Sequence, residues 1–473
     1  MSPDELVYVG VLLTSIPIGF LFRHLSPPVK QGAALLLGLC VTLGTCGLHS
    51  IHSAVTVLGT WAIITAHWRR APSLCLGWTF LYLLFFRLAH LAGLPPPPPF
   101  ANAIQLLLTL KMISLAHDVR DFHLAKKGEM TSLSKSPVIG GLTREPSLYD
   151  IISYSYCYIG IMTGPFFRFQ TYQDWVCQRE PWTGWLPGAT ALASRLRLVP
   201  VFGALFLGAD ALFPLAFVRS PAFPDSHFLF RLFYMSAVFF VFRMRFFAAW
   251  QLAEGSCVSA GLGGYPRGTK AKPGGGPTVQ YSAVQGDPDS QCDFETVRNI
   301  DWYNTEFCTR VRHGMRYWNM SVQWWLHSYI YNSAPFRSYV LRAGWTMLVS
   351  AFWHGIHAGY YLSFLTVPLC LWAESSVERG VRARLGPGGQ GLFDWVHWFL
   401  KMRCYDYMCM GFVLLGWRDT LHYWGSVGYC VHLLAVCAVA LGVALGPVGE
   451  RQGRAGGRER EVGKREKMEG KAE

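Results

Sequence analysis

The chain has 473 residues, 51% of them hydrophobic and 15% aromatic, and only 15% carry charge. That charged share is well below the quarter or so usual in soluble domains and points to a membrane protein. A formal net charge of +13 favours anionic partners such as lipid headgroups and phosphorylated small molecules. Without zinc-finger spacing or a basic recognition helix outside the tail, nucleic acid is not expected as a partner.

The amino terminus, Met1-Ser2-Pro3-Asp4-Glu5, is acidic where a secretory signal would be basic, so the first span is expected to be retained. Apolar runs then recur at about 15 to 22 residues each, close to the length that crosses a hydrocarbon core as helix. In chain order they are Leu6 to Phe22, Gly32 to Leu48, Ser53 to Ala66, Leu74 to Leu94, Ala101 to Leu115 and Ile151 to Phe167. Val199 to Val218, Phe228 to Trp250, Tyr339 to Trp372, Trp395 to Leu415 and Trp424 to Leu445 follow. None shows the two-residue alternation of a membrane barrel, and backbone polar groups in lipid must be satisfied internally. The expectation is an all-α, polytopic transmembrane helical bundle of about 9 to 12 spans.

Several segments interrupt or end that pattern. The Pro95 to Pro99 run reads as a stiff turn. A Gly- and Pro-rich stretch over residues 255–293, containing Gly274-Gly275-Gly276-Pro277, reads as a flexible loop because it can bury little apolar surface. The Tyr339 to Trp372 run exceeds one crossing, and Gly355 and Gly359 sit where it would break, close to His354. Residues 1–449 form one membrane-embedded domain in this reading, and 450–473 a charged tail expected to be disordered. The 13 cysteines include no Cys-x-x-Cys pair and read as small buried hydrophobes.

Within the apolar runs, His354 stands out. A titratable group in hydrocarbon costs several kcal/mol unless paired, so its presence is by default a functional hypothesis. A neutral imidazole can take a proton from a hydroxyl as that oxygen attacks a carbonyl. A lone histidine on an apolar helix is also commonly satisfied by backbone or hydroxyl groups; the Trp353 and Gly355 neighbours weigh against that reading. Upstream, Asn319 lies in Tyr317-Trp318-Asn319-Met320-Ser321-Val322-Gln323-Trp324-Trp325. Its amide can polarise a thioester carbonyl or hold the attacking hydroxyl, it can link helices, or Asn319-Met320-Ser321 can accept a glycan. The surrounding tryptophans argue against the glycan.

His357 follows His354 by one helical turn and could share a metal with it, but no nearby carboxylate or cysteine completes a ligand set, so no metal is expected. Arg243-Met244-Arg245 and Lys401-Met402-Arg403 could grip phosphates or could snorkel at helix ends. No His-x-x-x-x-Asp, Gly-x-Ser-x-Gly, His-Glu-x-x-His or Walker sequence occurs, which removes support for serine hydrolase and ATPase chemistry.

Trp318-Asn319 and Trp353-His354-Gly355, in a chain of many apolar spans, resemble the membrane-bound O-acyltransferase family. The Ser155 to Arg168 stretch, the Asn319 window and Asp394-Trp395-Val396-His397-Trp398-Phe399-Leu400-Lys401 are similar to a branch that acylates lysophosphatidylinositol. The likeness runs from the amino terminus to about Leu445. It implies that His354 is the catalytic histidine and Asn319 its partner, in a bundle enclosing a catalytic tunnel in the endoplasmic reticulum membrane. It also implies acyl-coenzyme A as co-substrate with no further cofactor, and 1-acyl lysophosphatidylinositol as acceptor with arachidonoyl donors preferred. An O-acyltransferase acting on a protein or another lipid shares the same Asn and His, and a transporter is a remoter alternative that needs an internal repeat. Oligomeric state is not legible in the sequence.

Overall fold

The computed structural model describes residues 2–129, 141–162, 164–177, 185–279 and 292–446, without side chains at 185–187. Five helices open the chain: α1 (Pro3–Phe22), α2 (Pro27–Cys46), α3 (Ser50–His67), α4 (Ala71–Leu88) and α5 (Pro99–Lys126). A capping box starts α1, with the Ser2 hydroxyl accepting from Glu5 N–H and the Glu5 carboxylate accepting from Ser2 N–H. Proline in the first turn starts α2, α4 and α5, where its missing N–H costs nothing. Shorter helices α6 (Leu148–Ser155), α7 (Phe169–Cys177), α8 (Trp185–Leu196), α9 (Val199–Leu212) and α10 (Leu215–Val218) lead to the long α11 (Phe228–Ala260). Three short helices follow: α12 (Trp302–Phe307), α13 (Val311–Tyr317) and α14 (Met320–Trp325). The chain then runs through α15 (Tyr339–His354), α16 (Ala358–Gly380), α17 (Pro387–Leu414), α18 (Trp417–Ser426) and α19 (Cys430–Leu445).

Six helical stretches among the described residues are long and apolar enough to cross a membrane: Pro3–Phe22, Pro27–His67, Ala71–Ala92, Pro99–Lys126, Gly188–Val218 and Phe228–Ala260. The α18–α19 pair, bent by 69°, makes up to seven. That is below the about 9 to 12 spans expected from run length. Part of the difference is that Pro27–His67, 41 residues long, holds two of the expected runs; the rest includes charge and shortness, since α15 has only 16 residues while α16 carries Glu374 and Glu378, and α17 carries Asp394, Lys401, Arg403 and Asp406. Leu13, Leu36, Leu81, Leu433 and Val443 face outward. Lipid tails are the solvent that makes such a surface stable.

The two largest buried clusters lie one among α2 to α7 with α14, the other among α11 and α15 to α19. Closure of the second depends on Gly359, whose N–H donates to Leu415 O at 2.7 Å. A Cβ there would sit 2.1 Å from Gly411 O and 2.8 Å from Leu415 O, so α16 approaches the end of α17 backbone to backbone. Gly359→Ala is expected to lose about 1–3 kcal/mol through forced backbone shifts, read as a lower unfolding temperature of the detergent-purified protein.

Two expectations are corrected. Ile151 to Phe167 is not a span: helix ends at Ser155, and Tyr156 to Met162 and Gly164 to Phe167 are irregular and buried. Distant groups satisfy part of their backbone, Tyr158 N–H donating to Ala34 O at 3.2 Å and Phe166 N–H to Ser321 Oγ at 3.1 Å. The Gly- and Pro-rich segment expected as a flexible loop from Gly255 is built structure through residue 279. Gly255 to Ala260 complete α11, and Tyr265–Pro266 pair antiparallel with Cys292–Asp293. Gly274 and Gly275 press on α14, where a Cβ would lie 2.7 Å from Ser321 O and 2.6 Å from Trp324 Cε2. The remainder of that segment, 280–291, and the 450–473 tail lie outside the described residues.

Candidate active site

A cavity of about 370 Å³ takes walls from α5, α11, α13 to α17 and the irregular segment around Phe166. Its surface is mainly apolar, from Leu107, Phe239, Phe242, Phe246, Val367 and Phe412 among others. Both His354 and Asn319 line it, with Gln323 and Ser350. An aromatic path links the two: Trp318 stacks on Phe242 at 6.0 Å, Phe242 meets Phe412 edge-on at 5.6 Å, and Phe412 meets the His354 ring at 5.4 Å.

His354 is the last residue of α15, and the helix stops because Gly355 is fully extended, at φ 172° and ψ 179°. A Cβ at Gly355 would stand 2.5 Å from the Tyr360 ring, so the break needs glycine for space. The imidazole Nδ1 lies 2.8 Å from Ser350 O. A carbonyl can only accept, so Nδ1 carries the hydrogen and Nε2 is left with the lone pair. Among the described residues no side chain hydrogen-bonds Nε2. Trp353, Phe364 and Phe412 pack around the ring at centroid distances of 4.7, 4.9 and 5.4 Å.

Asn319 adopts the left-handed conformation, φ 49° and ψ 51°, immediately before α14, and its side chain caps nothing. Asparagine tolerates this backbone better than most residues. The turn is held from both sides by Asn299, whose backbone O accepts from Met320 N–H at 2.8 Å while its Oδ1 accepts from Ser321 Oγ at 2.6 Å. Asn299 is fixed in turn by Glu254 at the end of α11, whose Oε1 accepts from Asn299 N–H at 2.7 Å and Ile300 N–H at 2.9 Å. The Asn319 amide thus lines the cavity with its donors and acceptor free of protein partners among the described residues. It sits half-buried in the cavity wall rather than on an open loop, which removes the setting a glycan needs.

Other sequence candidates fall elsewhere. His357 is exposed beyond the helix break and does not share a helix face with His354. Among the described residues no group of three or more His, Cys, Asp or Glu is placed to hold a metal. The two basic pairs are already occupied: Arg243 bonds Glu306 at 2.6 Å, Arg245 pairs with Glu5 at 2.7 Å, Arg403 bonds Asp406 at 2.5 Å, and Lys401 donates to Thr305 O and Glu306 O at 3.0 and 3.1 Å. Arg243 and Lys401 tie α12 between α11 and α17, with Thr305 on the cavity wall. Sequence reading missed Asn299 and Glu254, because only the fold brings them to Asn319.

A family model described as the membrane-bound O-acyltransferase family matches residues 104–412. The chain belongs to this family. It is 64% identical over 444 residues to a membrane-bound acylglycerophosphatidylinositol O-acyltransferase of Danio rerio, covering 93% of this chain and 94% of that one. A protein of the same description from Homo sapiens is 58% identical over 449 residues, 94% of this chain and 95% of its own. One from Drosophila melanogaster is 30% identical over 468 residues, 94% and 93% of the two chains. As a membrane-bound O-acyltransferase, the chain is a multi-pass membrane enzyme, and its matched region holds both Asn319 and His354.

Proposed function

We propose that this O-acyltransferase moves a polyunsaturated, arachidonoyl-type acyl group from coenzyme A to the sn-2 hydroxyl of lysophosphatidylinositol, in the endoplasmic reticulum membrane, as a step of phospholipid remodelling. The observation that carries the chemistry is the shared cavity: a free imidazole lone pair and a free amide line one apolar chamber. The acceptor follows from relatives named acylglycerophosphatidylinositol O-acyltransferases over nearly the whole chain. His354 Nε2 takes the proton of the glycerol hydroxyl as its oxygen bonds to the thioester carbonyl carbon. The Asn319 amide donates to the carbonyl oxygen as negative charge grows there. The C–S bond then breaks, and the departing thiolate receives the proton from the imidazolium.

Direct transfer is favoured over an acyl-enzyme. A thioester is already activated, and no hydroxyl or thiol among the described residues hydrogen-bonds His354. An apolar chamber suits the reaction because two long-chain reactants must meet with water excluded. No cofactor is needed in this scheme, acyl-coenzyme A being a co-substrate.

The test is a matrix of purified enzyme, lysolipid acceptors and labelled acyl-coenzyme A donors. Label should enter phosphatidylinositol from lysophosphatidylinositol faster than any other headgroup, with the arachidonoyl donor ahead of saturated ones. Label entering a peptide substrate, or lysophosphatidylcholine accepted equally well, would overturn the assignment.

A further inference from the structure

We infer that Arg87 is a positioning residue for the catalytic histidine, closing the end of α15 from another helix so that the helix can stop at His354. This rests on His354 being the base proposed above. A helix leaves its last four carbonyls without intrahelical partners, and in an apolar interior each must be satisfied. At the end of α15 two of them find their partner on another helix. Ser350 O accepts from His354 Nδ1 at 2.8 Å and Ala351 O from Gly355 N–H at 3.0 Å. Phe352 O and Trp353 O each take one prong of a single guanidinium, Arg87 Nη1 and Nη2, both at 2.6 Å.

Arg87 lies 9% exposed on α4, more than 260 residues away in sequence, and no carboxylate pairs with it among the described residues. A buried cation without a counter-ion is costly. Here the negative end of the α15 dipole stands in for the counter-ion. The fork is planar and bidentate, matching two successive carbonyls as a lysine could not. Neighbouring contacts fix the same joint: Phe80 stacks on Phe352 at 5.7 Å, and the Trp353 indole N–H donates to Leu106 O at 3.0 Å.

A comparison within the fold isolates the role. The end of α11 also receives a guanidinium, Arg23 donating to Val258 O and Ser259 O at 2.7 Å each, but α11 has a left-handed glycine cap at Gly261, φ 77°. The end of α15 has no such cap, since Gly355 is extended. Without Arg87 the Phe352 and Trp353 carbonyls would lose these donors, and winding Gly355 to His357 into helix would replace them with the backbone N–H groups of Ile356 and His357. That would rotate the His354 ring and swing Nε2 away from the reacting hydroxyl.

The experiment measures kcat and KM for both substrates with purified Arg87→Gln and Arg87→Lys, per mole of folded, monodisperse protein, beside His354→Ala. Arg87→Gln should lower kcat by about 10²-fold, the cost of an ångström-scale misplacement, with both KM values within about twofold of wild type. Arg87→Lys, which keeps the charge and one donor, should recover part of that loss. Unchanged kcat in either variant, or a loss confined to KM, would overturn the positioning role. If Arg87→Gln does not fold, Arg87→Lys decides alone: lowered kcat with KM retained supports the role, and wild-type kcat refutes it. Activity retained by His354→Ala would instead refute the base assignment, so the two failures are told apart.

Discussion

Replacing His354 with alanine is expected to lower the rate of acyl transfer by about 10²–10⁴-fold, the range supplied by a positioned general base. The ring's Nδ1 is committed to Ser350 O and its Nε2 has no partner among the described residues, so the substitution removes the nitrogen available to a substrate proton. The fold should survive, because His354 is the final residue of its helix and the backbone bond from Gly355 N–H to Ala351 O does not involve its side chain. Monodispersity and unfolding temperature in detergent report the fold, and label transfer to lysophosphatidylinositol reports the chemistry. His354→Gln sharpens the test. Its amide can mimic the hydrogen bond but cannot accept a full proton, so it should be as inactive as the alanine variant.

The second large effect is expected at Asn319, where the informative substitution is glycine rather than alanine. At φ 49° and ψ 51° an alanine would add backbone strain to the loss of the amide, whereas glycine adopts that conformation freely. Asn319→Gly should therefore keep the unfolding temperature close to wild type and lower kcat by about 10²–10³-fold, the usual cost of one lost oxyanion donor. A fall in stability with kcat unchanged would mean that Asn319 serves only the turn before α14. The Asn299 and Glu254 bonds make that turn robust, which is why the amide can be removed without dismantling it.

Much of the bundle was legible in the sequence, since long apolar runs have few alternatives to helix in lipid. The break near His354 was legible too, because glycines at 355 and 359 interrupt a run too long for one crossing. Ile151 to Phe167 misled for the same reason that the others succeeded. Its composition is apolar, but past Tyr156 its backbone draws on Ala34 and Ser321 as well as on its own turns, and no local pattern encodes partners so far away. Glycines 274 and 275 misled in the opposite direction. They read as freedom, yet they are there to let a turn lie against Ser321 and Trp324. The Arg243-Met244-Arg245 and Lys401-Met402-Arg403 pairs were visible as anomalies in apolar runs, but their partners were not, and nothing local encodes the grip of Arg87 on Phe352 and Trp353.

The most direct measurement is a cryo-EM map of the protein with a non-hydrolysable acyl-coenzyme A analogue and lysophosphatidylinositol. Direct transfer requires the analogue's carbonyl position within hydrogen-bond reach of the Asn319 amide, and the acceptor hydroxyl about 2.6–3.2 Å from His354 Nε2. Density for both reactants in the cavity in that arrangement is the expected result. A map in which His354 is walled off by packed side chains, with the reactants bound elsewhere, would contradict it.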